Sequence, residues 1–175
     1  IDVTIECDEN TLPDSTGMAT AIDNCDPLPS VTYSDITAAG NCPQEYFISR
    51  TWTASDSCGN TSTCLQAITV EDTTPPVITF CPPNLTIEGD ESTEPDSTGI
   101  ALATDNCDPE PVVTWSDLTA AGSCPQEYSI DRTWTASDAC GNSSTCLQTI
   151  TVEDTTPPVI TCPMDVTIEC EGSTD

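Results

Sequence analysis

The chain has 175 residues, thirty acidic side chains, two arginines, no lysine and no histidine, for a formal net charge of −28. Nucleic acid and anionic membrane surfaces are excluded as partners, because both require basic patches that this composition lacks. Ser-His-Asp, Cys-His and lysine-based nucleophilic chemistry are excluded with them.

In chain order, alternating runs rich in threonine, valine and isoleucine predict strands at 2–7, 17–22, 31–36, 45–54 and 63–70, with turn residues between them. No helical period is present. Trp52, Tyr33, Tyr46, Ile48, Ile68, Val70, Val3 and Ile5 are the expected core. The pattern then starts again. Residues 14–79 fall on 96–161 with 53 of 66 positions identical, a shift of 96 − 14 = 82. A tandem repeat of this kind implies modules that contact mainly their neighbours. The expected divisions are a first repeat at 1–74, a second at 75–156 and the opening strand of a third at 157–175. The expected fold is all-β: tandem immunoglobulin-like β-sandwich modules, disulfide-stapled and arranged end to end. So small a module, copied in tandem, has little material for a substrate cleft, and the expected function is not enzymatic.

Five strands running alternately up and down leave the two termini of a module at opposite poles. The lower pole of the first module then holds Asp23, Asn24, Asp26, Asp56 and Asn60, and its upper pole holds Glu71 and Asp72. Asp105, Asn106, Asp108, Asp138 and Asn142 occupy the lower pole of the second module, and Glu153 and Asp154 its upper pole. Glu71 and Asp72 therefore leave the first module where the lower pole of the second must sit. A cluster of carboxylates and amide oxygens converging on one joint repels itself unless a cation neutralises it; Ca2+, which takes six to eight oxygens, suits it. Each Asp or Asn singly is also explained by an Asx-turn. Pro75 and Pro76 stiffen the connector, which is why VEDTTPPVIT stands at both 70–79 and 152–161.

Twelve cysteines in small modules point to an oxidising, extracellular compartment and a disulfide framework. Metal ligation by them is disfavoured, since Cys58 and Cys64 are too far apart for a zinc knuckle and no histidine assists. Pole assignment pairs Cys7 with Cys42, Cys25 with Cys58, Cys107 with Cys140, and Cys81 with Cys146. A rival set joins Cys58 to Cys64 and Cys25 to Cys42. Cys162 and Cys170 lie eight apart on one extended run and cannot bridge each other. Gly89 stands where Cys7 and Cys170 stand in the other copies, leaving Cys124 without a partner, and Cys64 would pair with a cysteine upstream of Ile1. Arg50 alternates with Ile48 and Trp52, and Arg132 with Ile130 and Trp134. Each arginine is expected to lie over the indole with its head on an acid. Asn60, Asn84 and Asn142 open N-glycosylation sequons, and Asp14, Asp72, Asp96 and Asp154 begin Asp-Ser/Thr motifs.

The segments TAIDNCDP, RTWTASDSCGNTSTC and ITVEDTTPPVITFCP, with their copies LATDNCDP, RTWTASDACGNSSTC and ITVEDTTPPVITCP, resemble HYR-type repeats. They look most like the cysteine-containing repeats of bacterial surface adhesins and filaments, including the SprB-like gliding adhesins of Bacteroidota. The resemblance implies an extracellular, immunoglobulin-like, often calcium-bound array. In outline the joint also looks like a cadherin linker, an analogy of arrangement only. The leading expectation is a structural and adhesive thread on a cell surface or in an extracellular filament, stiffened by calcium between modules, with neighbouring modules or chains and surface glycans or proteins as partners. The alternatives are an array of glycan- or protein-binding receptor modules and a fibre assembled by β-strand exchange, with the run 159–170 completing a neighbour's sandwich. Within this stretch no run of roughly 18–20 residues is apolar enough to span a bilayer and there is no signal peptide; both are expected outside it, since the repeats read as a slice of something longer.

Overall fold

The computed structural model describes residues 2–167. In the first module β1 (Val3–Glu6), the one-turn helix α1 (Pro13–Thr16), β2 (Ser30–Ala39), β3 (Tyr46–Ser55) and β4 (Thr61–Glu71) follow in order. The second comprises β5 (Val77–Phe80), β6 (Leu85–Glu88), α2 (Pro95–Thr98), β7 (Leu102–Thr104), β8 (Val112–Ala121), β9 (Tyr128–Ser137) and β10 (Ser143–Glu153). The two four-stranded sheets have the same order, β1-β4-β3-β2 and β6-β10-β9-β8, with the outer pair β1 and β4, or β6 and β10, parallel and the rest antiparallel. In the second module the short sheet β5-β7 lies across from the larger one, giving a β-sandwich. The architecture is all-β, immunoglobulin-like and tandem.

Alternation along β3 and β4 buries Ile48, Ile68 and Val70, against which Ile5, Cys7 and Tyr46 pack; Ile130, Ile150 and Val152 repeat this cluster. Tyr33, expected in the core, is instead half out on the edge strand β2, with its ring 5.3 Å from that of Trp52. The core also holds a charge. Arg50 is fully buried, forks onto both oxygens of Asp35 at 2.8 and 2.9 Å, and donates to Thr16 Oγ1 and the Thr11 carbonyl. Its guanidinium lies over Tyr33 and Trp52. Trp52 Nε1 donates to Gln66 Oε1, and Gln66 Nε2 donates to the Thr16 carbonyl. The same network surrounds Arg132, Asp117, Thr98, Gln148 and Trp134.

This network accounts for the two short helices, which the search for a helical period missed. Pro13 and Pro95 open single turns whose threonine hydroxyls meet a guanidinium. One turn is too short to show periodicity. A second expectation also fails: residues 17–22 form no strand, whereas their counterparts around β7 do. β7 exists because β5 pairs with it, and among the described residues nothing pairs with 17–22. Residues 157–167, expected to open a third repeat, likewise form no strand, because no partner backbone lies beside them. Cys170 lies outside the described residues.

The disulfides require the largest correction. Cys7 bonds to Cys107 and Cys42 to Cys140, with Cα–Cα distances of 5.9 and 5.1 Å, so both bridges cross from one module to the next. Neither Cys7 with Cys42 nor Cys107 with Cys140 is paired, and Cys25 and Cys58 are exposed free thiols. The cysteines do gather at the poles, but an upper pole faces a lower pole across the joint, and the nearest sulfur belongs to the neighbouring module. Cys81 bonds to Cys146 at a Cα–Cα distance of 6.3 Å. Cys64, Cys124 and Cys162 are also free and exposed.

Candidate metal centre

The joint is built from three turns. In the second module, the side chain of Asp105 caps the turn after β7, Oδ1 accepting from the amides of Cys107 and Asp108 at 2.8 Å. Asp138 organises the β9–β10 turn: Oδ1 accepts from the amides of Cys140 and Asn142, and Oδ2 from Asn142 Nδ2. Gly141 supplies the positive φ, +97°, that this turn requires. Asp108 ties the two turns together, accepting from the Ala139 amide at 2.9 Å through Oδ2 and from the Glu110 amide through Oδ1. The first module contributes the chain just beyond β4. There Asn142 Nδ2 donates to the backbone carbonyl of Asp72 at 2.9 Å, and Ser144 Oγ donates to that of Pro76.

This framework brings the carboxylates of Asp72, Asp105 and Asp138 within 4.8 Å of one another. Asp72 is only 3% exposed, and neither of its carboxylate oxygens has a hydrogen-bond partner of ordinary geometry; Oδ2 of Asp105 is buried and unpartnered as well. Glu6 lies against the same group, on the side where Asp72 approaches Cys107. Burial, and next the charges of Asp138 and Asp105, push the Asp72 carboxyl up to about 6; the Thr74 amide opposes this only weakly. Two unit charges about 4 Å apart repel by roughly 4 kcal/mol at an effective dielectric near 20, whereas a hydrogen bond contributes about 1 kcal/mol. Repulsion between such neighbours is therefore larger than any one hydrogen bond of the joint. A proton on Asp72 relieves the repulsion in acid, and a bound cation would relieve it at higher pH.

The donors suit a hard divalent ion. All are carboxylate oxygens converging from two modules, those of Asp72 and Oδ2 of Asp105 buried without an ordinary hydrogen bond, and Ca2+ accepts an oxygen shell without strict geometry. The other two close groupings contain Cys107 or the pair Cys42 and Cys140, whose sulfurs are spent in disulfides.

Of the residues singled out from the sequence, Asp72, Asp105 and Asp138 are brought together. Asn142 stands beside them and spends its amide nitrogen on Asp72 and Asp138. Asp108 has both oxygens occupied by backbone amides. Asn106 is exposed, and Glu71 lies opposite Glu6 in the β1–β4 register rather than in the cluster. At the lower pole of the first module the same turns recur. Asp23 accepts from Cys25 and Asp26, Asp26 from Ser57, and Asp56 from Cys58 and Asn60. Those bonds hold Asp23 and Asp56 below the usual carboxylate range, backbone amides dominating at Asp23 and the Asn60 side chain at Asp56. Asn24 is exposed there. Glu153 and Asp154 are exposed at the upper pole of the second module, near Glu88, which binds the amide and hydroxyl of Thr155. Glu6 was missed. Its signal was position: it directly precedes Cys7, already assigned to the upper pole.

No protein-family model and no curated protein matches the chain. Among solved structures it is similar to the human desmocollin-1 ectodomain, at 12% identity over 87% of this chain and 38% of that one, with a TM-score of 0.34. It is similar also to Drosophila N-cadherin EC1-4, at 11% identity over 87% and 47%, TM-score 0.35, and to tandem Ig repeats of Dlar, at 14% over 73% and 84%, TM-score 0.31. These likenesses are distant. Among the described residues no helix is long and apolar enough to cross a membrane.

Proposed function

We propose that this chain is a spacer segment of an extracellular adhesive thread, resembling the HYR-type and SprB-like repeats, in which each joint between sandwiches is bridged by disulfides and closed by Ca2+. One observation carries the reading: the buried Asp72 carboxylate has no hydrogen-bond partner of ordinary geometry and faces Asp105 and Asp138 across the joint. With the ion in place the carboxylates draw the modules together; without it they push against the two disulfides that span the joint. The two disulfides and the ion together hold the angle of the joint. Pro75 and Pro76 reduce the freedom that clamping must remove.

The receptor reading finds less support. Positions that differ between the copies divide over both sides of the sheet. Tyr33 and Trp115 stack on Trp52 and Trp134 on the core side, whereas Phe47 and Ser49 lie on the opposite, exposed side and Leu28 in the preceding loop. No single recognition face collects them.

Calorimetric titration of the oxidised chain with Ca2+ tests the proposal. Binding that disappears in Asp72→Asn is expected. Absence of binding by the wild-type chain at neutral pH would overturn the calcium joint.

A further inference from the structure

The larger sheet of the second module ends on β8, which pairs with β9 alone, from Val112 opposite Ser137 to Ala121 opposite Tyr128, without a slip in register. Along its other side no backbone group meets a backbone partner among the described residues. Natural edges of this kind are commonly blunted by proline, a bulge, lysine or another free charge. VVTWSDLTAA carries no proline and no lysine, and its single acid is spent: both oxygens of Asp117 are engaged by Arg132, at 2.8 and 2.9 Å. In a chain of formal net charge −28 this is a neutral strip with free main-chain donors and acceptors.

Beside the strip, between α2 and β8, lies a cavity of about 240 Å³ lined by Glu94, Asp96, Ile100, Val113, Trp115 and Trp134. Trp134 is buried, whereas Trp115 is 49% exposed. Glu94 and Asp96 are exposed.

The first module shows what this cavity lacks. There Arg50 lies over the ring of Tyr33 at 4.6 Å as well as over that of Trp52. Trp115 stands where Tyr33 stands, but Arg132 lies over Trp134, at 5.7 Å, and among the described residues no cation lies over Trp115. An indole face attracts a cation more strongly than a phenol ring does, and carboxylates nearby add to the attraction. Leu12 occupies the place of Glu94 in the first module, so the pairing of that acid with an indole belongs to the second.

We infer that β8 is a docking edge for another protein, an extended basic segment that joins the sheet as a further strand and sets a lysine or arginine in the cavity, against Trp115, Glu94 and Asp96. Main-chain hydrogen bonds hold such a strand, and a pocket that takes alternate side chains selects it. Val113, Trp115 and Asp117 alternate onto the cavity side of β8, and every second side chain of an added strand points to that side too. A second copy of this chain does not fit. It has no lysine, its two arginines are buried in their own modules, and it brings the same negative charge. A basic partner, by contrast, is drawn in by that charge. The inference goes beyond the spacer reading and holds whether or not the joint takes an ion.

The test uses the full oxidised chain and short capped peptides of alternating threonine and valine with one central arginine. Fluorescence anisotropy of the labelled peptide gives Kd, and hydrogen exchange of the chain locates the contact. The arginine peptide is expected to bind and to slow exchange along 112–121. Replacing its arginine by glutamine, or combining Glu94→Gln with Asp96→Asn in the chain, should weaken binding roughly tenfold. Circular dichroism checks that the double variant is folded. So acidic a chain attracts any basic peptide, and a further control separates strand pairing from attraction. Methylating alternate peptide nitrogens in one register removes the N–H groups that face β8 and should abolish binding; methylation in the other register should spare it. Equal binding of the arginine and glutamine peptides, indifference to the double variant, or tolerance of methylation in both registers overturns the inference. So does absence of binding, or a chain already dimeric through β8 before peptide is added.

Discussion

Asn142 of the second module donates its side-chain amide to the backbone carbonyl of Asp72 in the first at 2.9 Å, while neither carboxylate oxygen of Asp72 has a hydrogen-bond partner of ordinary geometry. The joint thus grips the main chain of this residue and leaves its charge uncompensated. Ionising a group so placed is costly, and a proton or a cation would lower that cost.

Replacing Asp72 with Asn removes the charge and keeps the volume. In chelator, Asp72→Asn is expected to raise the thermal midpoint, since the repulsion from Asp105 and Asp138 falls. In calcium, the wild-type chain should gain about 2.7 kcal/mol at a hundredfold excess over its Kd, and the variant should gain almost nothing. Differential scanning calorimetry of both proteins in both buffers checks the crossing.

The pH dependence has a defined sign. The Asp72 carboxyl is raised from 3.8 to about 6 in the folded chain. A raised carboxyl contributes its full stability below the unfolded value near 3.8 and loses it as pH climbs through about 6. The ion-free joint should therefore be firmest near pH 4 and weaken towards pH 7. Calcium reverses the trend, because the ion needs the ionised group: apparent affinity should fall roughly tenfold per pH unit below about 6. Titrations at pH 5, 6 and 7 measure it.

Chelation alone should change the length of the particle little, because the bridges Cys7–Cys107 and Cys42–Cys140 still cross the joint. Reduction in calcium should also change it little, because the ion remains. Chelation of the double variant Cys7→Ser, Cys42→Ser should broaden the distance distribution in small-angle scattering. An unaltered distribution in that last case would show that neither device holds the angle.

Within the second module, Cys81→Ala with Cys146→Ala should cost about 2–4 kcal/mol, the usual contribution of a bridge closing a loop of this size. Arg132→Lys should cost a comparable amount for a different reason: the fork onto Asp117 and the bonds to Thr98 and Thr93 need a planar guanidinium. Urea unfolding reports both.

Much of this was legible in the residues. Strand periodicity placed β1, β3 and β4, and the repeat placed their copies, because alternation is a local property of a pleated chain. The arginine over tryptophan followed from alternation, and Asp72, Asp105 and Asp138 from counting strand directions. Other features were hidden by the same locality. Thr16 and Thr98 sit on single helical turns whose reason is a guanidinium more than thirty residues away, and Glu6 stands beside Asp72 although the whole of the module's sequence separates them.

The sequence by itself determined the module, its period, its charge and the poles at which cysteines and acids gather, since all of these follow from short-range pattern and strand direction. Only the tertiary structure decided which sulfur meets which and which carboxylate is stranded. Pairing depends on distances across a joint of a few ångströms, and two modules of nearly identical sequence carry no internal mark of whether Cys7 faces Cys42 beside it or Cys107 beyond it. Docking one pole on the next settles that choice, and it buries Asp72 in the same movement.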